Sequence, residues 1–78
     1  MNRRDLGEIL HLLKIRAPTY HLDGDSSEYE AHCMAEESDG WHVYFFERGV
    51  RSSEDVYSSE ADACVALLKR IAADPWTR

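Results

Sequence analysis

The chain predicts an α+β fold: a three-stranded antiparallel sheet with two helices on one face, in the order α-β-β-β-α. Three observations carry this. Leucines recur at helical spacing near the start, an alternating stretch and an aromatic stretch meet at a turn sequence in the middle, and a serine-capped apolar stripe closes the chain. The 78 residues make one domain, 1–78, with one small core. A deep, water-excluding cavity would compete with that core for the same few apolar residues, which weighs against an enzyme.

Asn2, with Asp5 three residues later, forms a capping-box pattern. Leu6, Ile9, Leu10 and Leu13 follow on one helix face, with Lys14 and Arg16 near the end, where positive charge offsets the helix dipole. Pro18 disfavours helical geometry at Ala17, so the first helix is expected over roughly Arg3 to Ile15. Tyr20 to Ser27 reads as a loop, its turn formers being Asp23-Gly24-Asp25-Ser26-Ser27. Oxygens at Asp23, Asp25 and Ser27 resemble part of a calcium loop, but no bidentate Glu follows at the twelfth position and no helices flank it. A solvated loop is expected, with no metal.

Glu28 to Glu37 alternates, with Tyr29, Ala31, Cys33 and Ala35 on one side and Glu28, Glu30, His32, Met34 and Glu36 on the other, as in a half-buried strand. Ser38-Asp39-Gly40 then turns the chain into an aromatic strand that ends near Gly49. A two-residue Asp39-Gly40 turn pairs Tyr44 with Ala35 and Phe46 with Cys33, facing both aromatics inward. A three-residue turn with a bulged Gly40 pairs Val43 with Ala35 and Phe45 with Cys33 instead. The second buries the more apolar set, Trp41, Val43 and Phe45, and is preferred; His42, Tyr44 and Phe46 then lie outside beside His32 and Met34.

A third short strand, about Glu54 to Ser58, follows the Arg48-to-Ser53 connection and has the weak apolar content of an edge. Ser59 caps the last helix with Asp62 at N3, and its apolar stripe is Ala61, Cys64, Val65, Leu68, Ile71 and Ala72. Asp74-Pro75 ends it, leaving Trp76-Thr77-Arg78 as a tail. Two helices cover one face of such a sheet and leave the other open.

Charge sharpens the functional reading. Fifteen acids face nine Lys and Arg, for a formal charge of −6. Between Ala17 and Glu47 every formal charge is negative: Asp23, Asp25, Glu28, Glu30, Glu36, Glu37, Asp39 and Glu47. Such a segment repels a phosphate backbone, so nucleic acid is not an expected partner, whereas a basic protein surface is attracted and its association accelerated. No stretch approaches the ~20 apolar residues of a membrane span, and the chain reads as cytoplasmic with no membrane partner. Cys33 and Cys64 make no disulfide framework in that compartment.

His32, Cys33 and His42 invite a metal or thiol-imidazole reading. Adjacent strand residues point to opposite faces, however, and a cysteine turned toward the helices is an inert apolar group. No metal, cofactor or catalytic residue is assigned. Glu47-Arg48-Gly49 is either an internal ion pair at a turn or a means of presenting Arg48 to a partner carboxylate. The partner-binding candidates are Asp25, Glu28, Glu30, His32, Met34, Glu36, His42, Tyr44, Phe46 and Arg48. They combine carboxylates with aromatic side chains, which dominate many interfaces.

The pattern Trp41-x-Val43-Tyr44-Phe45-x-Glu47-Arg48-Gly49, with Glu30-x-x-Cys33 before it and Ser59-Glu60-Ala61-x-Ala63-Cys64 and Leu67-Leu68 after it, resembles small immunity proteins of bacterial polymorphic or contact-dependent toxin systems. The likeness covers most of the chain and contains no catalytic signature. Members often carry a small polar residue where this chain has Phe46, in keeping with Phe46 facing outward. The resemblance implies stoichiometric inhibition of a cognate toxin domain, NAD-degrading or nucleic-acid-cleaving, by an acidic and aromatic open sheet face. The other readings are a general interaction module, such as an adaptor or small homodimer joined through that face or the third-strand edge, and a small enzyme using His32 or His42. Both a monomer and a dimer are compatible with the sequence.

Overall fold

The computed structural model describes residues 1–26 and 30–78. Helix α1 spans Arg3–Leu12, and a 3-10 turn at Ala17–Thr19 leads into the short strand β1, Tyr20–His21. Strands β2 (Ala31–Glu37), β3 (Gly40–Glu47) and β4 (Val50–Tyr57), helix α2 (Glu60–Ala73) and a 3-10 turn at Pro75–Thr77 follow. The α+β class stands, but the sheet is four-stranded and mixed, ordered β1-β2-β3-β4, with β1 parallel to β2 and the other pairs antiparallel. The expected loop at Tyr20 thus supplies a strand. Glu28 and Tyr29, placed by the alternation in the first expected strand, lie outside the described residues, and the described part of that strand starts at Ala31.

Both helix starts follow their caps. The Asn2 side chain accepts the Asp5 N–H at 2.9 Å, and Ser59 Oγ accepts the Asp62 N–H at 3.1 Å. The end of α1 comes earlier than Pro18 suggests. Lys14 takes a left-handed φ of 58°, its N–H donates to the His11 carbonyl, and the Ile15 N–H donates to the Leu10 carbonyl. This is a Schellman stop, and Ile15 folds back onto the core as that motif favours.

The main core lies between the helices and one sheet face: Leu6, Leu10, Met34, Val43, Ala63, Cys64, Leu67 and Ile71. Each large aliphatic side chain there gains roughly 1.5–3 kcal/mol from leaving water. The buried stripe of α2 is rotated from the expected one. Ala63 and Leu67 are buried with Cys64 and Ile71, while Ala61, Val65 and Ala72 are exposed and Leu68 is half-buried.

The β2–β3 register differs from both expected alternatives. Glu37 pairs with Gly40, so Ser38-Asp39 is the turn; Met34 pairs with Val43 and Cys33 with Tyr44. Gly40 is a packing residue rather than a turn residue: at φ 137°, a Cβ there would lie 2.7 Å from the Tyr57 carbonyl oxygen. Trp41 and Val43 face the helices as expected, but the faces of β2 are exchanged. Met34 fills the core while Ala31, Cys33 and Ala35 lie on the opposite face with Tyr44. The long Met spans the gap under the helices, and the small residues let side chains lie close on the other side.

Strand β4 begins four residues earlier than expected, because Arg48 (φ 53°) and Gly49 (φ 75°) form a tight left-handed turn that pairs Glu47 with Val50. A bulge interrupts it opposite Tyr44, where Ser53 has φ 53°. β4 is one edge of the sheet, as the third strand was expected to be, and β1 is the other. The C-terminal tail is docked rather than free: buried Thr77 donates its hydroxyl to the Ile71 and Asp74 carbonyls, and its own carbonyl accepts the Arg16 N–H.

Candidate functional site

On the sheet face away from the helices, β3 presents His42, Tyr44 and Phe46, and β4 presents Arg51 and Val56 opposite Phe46 and His42. This face is not open. Ala31, Cys33 and Tyr44 have no exposed surface, and Phe46 packs half-buried against them. The Tyr44 hydroxyl donates to Asp25 Oδ1 at 2.6 Å, the guanidinium carbon of Arg51 sits 4.2 Å from the Tyr44 ring centre, and the Ser26 backbone reaches the Cys33 thiol. The expectation of an exposed aromatic face is therefore corrected. A tyrosine with small neighbours makes a flat platform, and the chain covers it with its own arginine and loop.

Arg51 organises what lies on top. Its Nε donates to Asp25 at 3.0 Å, Nη1 to Glu54 at 2.8 Å and Nη2 to Glu37 at 2.8 Å. One planar fork thereby joins the loop before β2, the end of β2 and the middle of β4. His42 extends the network: Nδ1 lies 2.7 Å from Glu54 Oε2 and Nε2 lies 2.6 Å from Asp39 Oδ1. Both bonds form when the ring donates twice, as an imidazolium. The carboxylates, Asp39 first and Glu54 second, accordingly raise the His42 pKa above its ordinary 6.5. His42 in return lowers Asp39, and together with Arg51 it lowers Glu54. Burial, reinforced by the bond to Asp25, pushes the Tyr44 phenol up, so it stays a neutral donor.

Asp25, Glu37, Asp39 and Glu54 set against Arg51 leave a formal −3, or −2 with His42 protonated. Asp39 remains 66% exposed at its side chain and Asp25 45%, so the excess charge meets solvent. Glu37, His42 and Glu54 bring one potential ligand atom each within 4.8 Å of one another. The Arg51 guanidinium already bonds both of those carboxylates, and a divalent ion would have to displace it.

Of the residues singled out from the sequence, Asp25, His42, Tyr44 and Phe46 come together here. His32, Met34 and Glu36 do not, because the register turns them to the helix side. Met34 is core, His32 is buried with Nε2 2.9 Å from Asp74, and Glu36 is exposed beside Trp41 at the strand end. Among the described residues, His32 Nδ1 has no hydrogen-bond partner. Glu30 is exposed before β2, Arg48 is exposed in the β3–β4 turn, and Glu28 lies outside the described residues. Cys33 lies on the face opposite the one expected. Burial raises its thiol pKa and that of Cys64, which keeps both in the unreactive protonated form.

Sequence reasoning missed Arg51, Glu37, Asp39 and Glu54. The available signal was Arg48-Gly49: read as a two-residue turn, it starts a strand at Val50 and places Arg51 opposite Phe46. No protein-family model, curated protein or solved structure matches the chain, so the resemblance to immunity proteins rests on its own residues.

Proposed function

We propose that this chain is a cytoplasmic immunity protein that neutralises a cognate bacterial toxin domain by stoichiometric binding. One observation carries the reading: four carboxylates converge on one sheet face around Arg51 and His42 and keep a net negative charge at the surface. Toxins that cleave nucleic acids or degrade NAD hold phosphates in basic clefts, and a preorganised carboxylate patch matches such a cleft. The network holds its acids in place before binding, which lowers the ordering cost of association. The motif residues supply the support: Val43 is core, Tyr44 is the platform under Arg51, and Arg48-Gly49 starts the strand that carries Arg51 and Glu54. Of the partner-binding candidates Met34, Tyr44 and Phe46, Phe46 alone keeps exposed surface, because Met34 and Tyr44 are buried.

The test uses the toxin domain encoded beside this chain and calorimetric or interferometric binding. Asp39→Lys reverses an exposed charge away from the core and should slow association and flatten its salt dependence. Unchanged kinetics for Asp39→Lys together with Asp25→Asn, in folded protein, would remove this face from the interface.

A further inference from the structure

We infer that β4 is the seam of a two-fold homodimer, in which two copies join edge to edge into one continuous sheet. The inference concerns the strand edge beside the acidic network, with Arg51 common to both, and does not rest on the toxin-binding reading. β4 is an eight-residue edge strand, and among the described residues Val50 and Val56, at 62% and 48% exposure, are two of the most exposed large apolar side chains. Its charged side chains do not project into the edge, since Glu54 is drawn into the Arg51–His42 network and Asp55 pairs with Arg70 at 2.7 Å.

The bulge selects the occupant. Val50, Ser52, Asp55 and Tyr57 pair with residues on the helix side of β3, and Arg51 and Val56 with residues on the other side. The phase changes at Ser53-Glu54, in the middle of the strand. A regular foreign strand matches only half of such an edge, because one residue of slip exchanges its faces. A second copy running antiparallel, with bulge opposite bulge, keeps every face in register. It sets Val50 opposite the partner's Tyr57, Arg51 opposite the partner's Val56 and Ser52 opposite the partner's Asp55. No like charges oppose one another in these pairs, and the contact is self-complementary, as a two-fold requires. Beside Tyr57, a shallow groove lined by Asp62, Val65, Ala66, Lys69 and Arg70 of α2 receives the incoming Val50.

Sedimentation equilibrium and native mass spectrometry of the full chain, from low micromolar to millimolar, test this. A concentration-dependent species of twice the 9.0 kDa chain mass is expected. Val50→Lys sets a like charge beside Lys69 and Arg70 in the groove, and Val56→Arg sets a like charge opposite Arg51. Each acts twice across the axis and should raise the dimer dissociation constant by at least about tenfold while leaving circular dichroism unchanged. Hydrogen exchange at β4 amides should slow with concentration in the parent and not in the variants. A parent that stays monomeric at the highest concentration overturns the inference. So does a dimer unaffected by both variants, or a monomer whose β4 amides are protected only by a foreign extended peptide.

Discussion

Arg51 lies over Tyr44, its guanidinium carbon 4.2 Å from the ring centre, and the two side chains share one acceptor, Asp25 Oδ1. A cation, a ring and a carboxylate thus close the sheet face away from the helices, and the remaining guanidinium nitrogens fix Glu37 and Glu54. With its side chain only 26% exposed, Arg51 is a structural clamp as well as the positive centre of the acidic surface.

Arg51→Ala should lower unfolding free energy by roughly 1–3 kcal/mol, because it uncovers Tyr44 and leaves three carboxylates without their common donor. Arg51→Lys should recover only part of this, since an ammonium cannot serve three acceptors in one plane over a ring. Urea unfolding of both variants checks the order; equal stability of the Lys variant and the parent would rule out the clamp.

Stability should depend on pH through His42. Its folded pKa is raised above 6.5, so its contribution is fully present below pH 6.5 and is lost as pH rises through the folded value. Asp39 and Glu54 are lowered from 3.8 and 4.5, so theirs is present above those values and is lost as pH falls through the folded ones. Melting temperature should therefore be highest in mildly acidic solution and decline on both sides. His42→Gln should remove the alkaline decline, and an NMR titration of His42 with a midpoint at or below 6.5 would contradict the network.

Met34→Ala should cost about 2–5 kcal/mol, the penalty of a cavity under the helices, and should alter partner binding only through the loss of folded protein. Denaturant midpoints and binding measured at saturating folded fraction separate the two effects. An undiminished stability would return Met34 to the surface.

Gly40→Ala should destabilise by roughly 1–3 kcal/mol, because its methyl would meet the Tyr57 carbonyl at 2.7 Å and its φ of 137° disfavours any side chain. Thermal unfolding measures this, and the neighbouring Ser38→Ala provides a control in the turn itself.

Thr77→Val keeps the shape of a fully buried side chain and removes the donor to the Ile71 and Asp74 carbonyls, which should cost about 1–2 kcal/mol. No change in the unfolding midpoint would mean that the C-terminal turn is loosely held.

What could be read directly from the residues was local. The Asn2–Asp5 and Ser59–Asp62 caps depend on a few neighbouring atoms, and the inward set Trp41, Val43 and Phe45 follows from strand period and apolarity. The clustering of carboxylates was readable only as composition. Strand β1 was not readable, and the early start of β4 and the position of Arg51 were signalled by Arg48-Gly49 alone. A polar run such as Arg51-Ser52-Ser53-Glu54-Asp55 looks like a connection, because an edge strand has little apolar alternation to betray it.

The order of helices and strands after Gly40, the caps and the acidic bias were thus already present in the chain's local chemistry. The folded chain alone settled which side Met34 and Cys33 occupy. That choice turns on the close approach of Gly40 to Tyr57 and on filling the space under α1 and α2. Strand pairing has a period of two, so a single residue of register, set by long-range packing, reassigns a whole face.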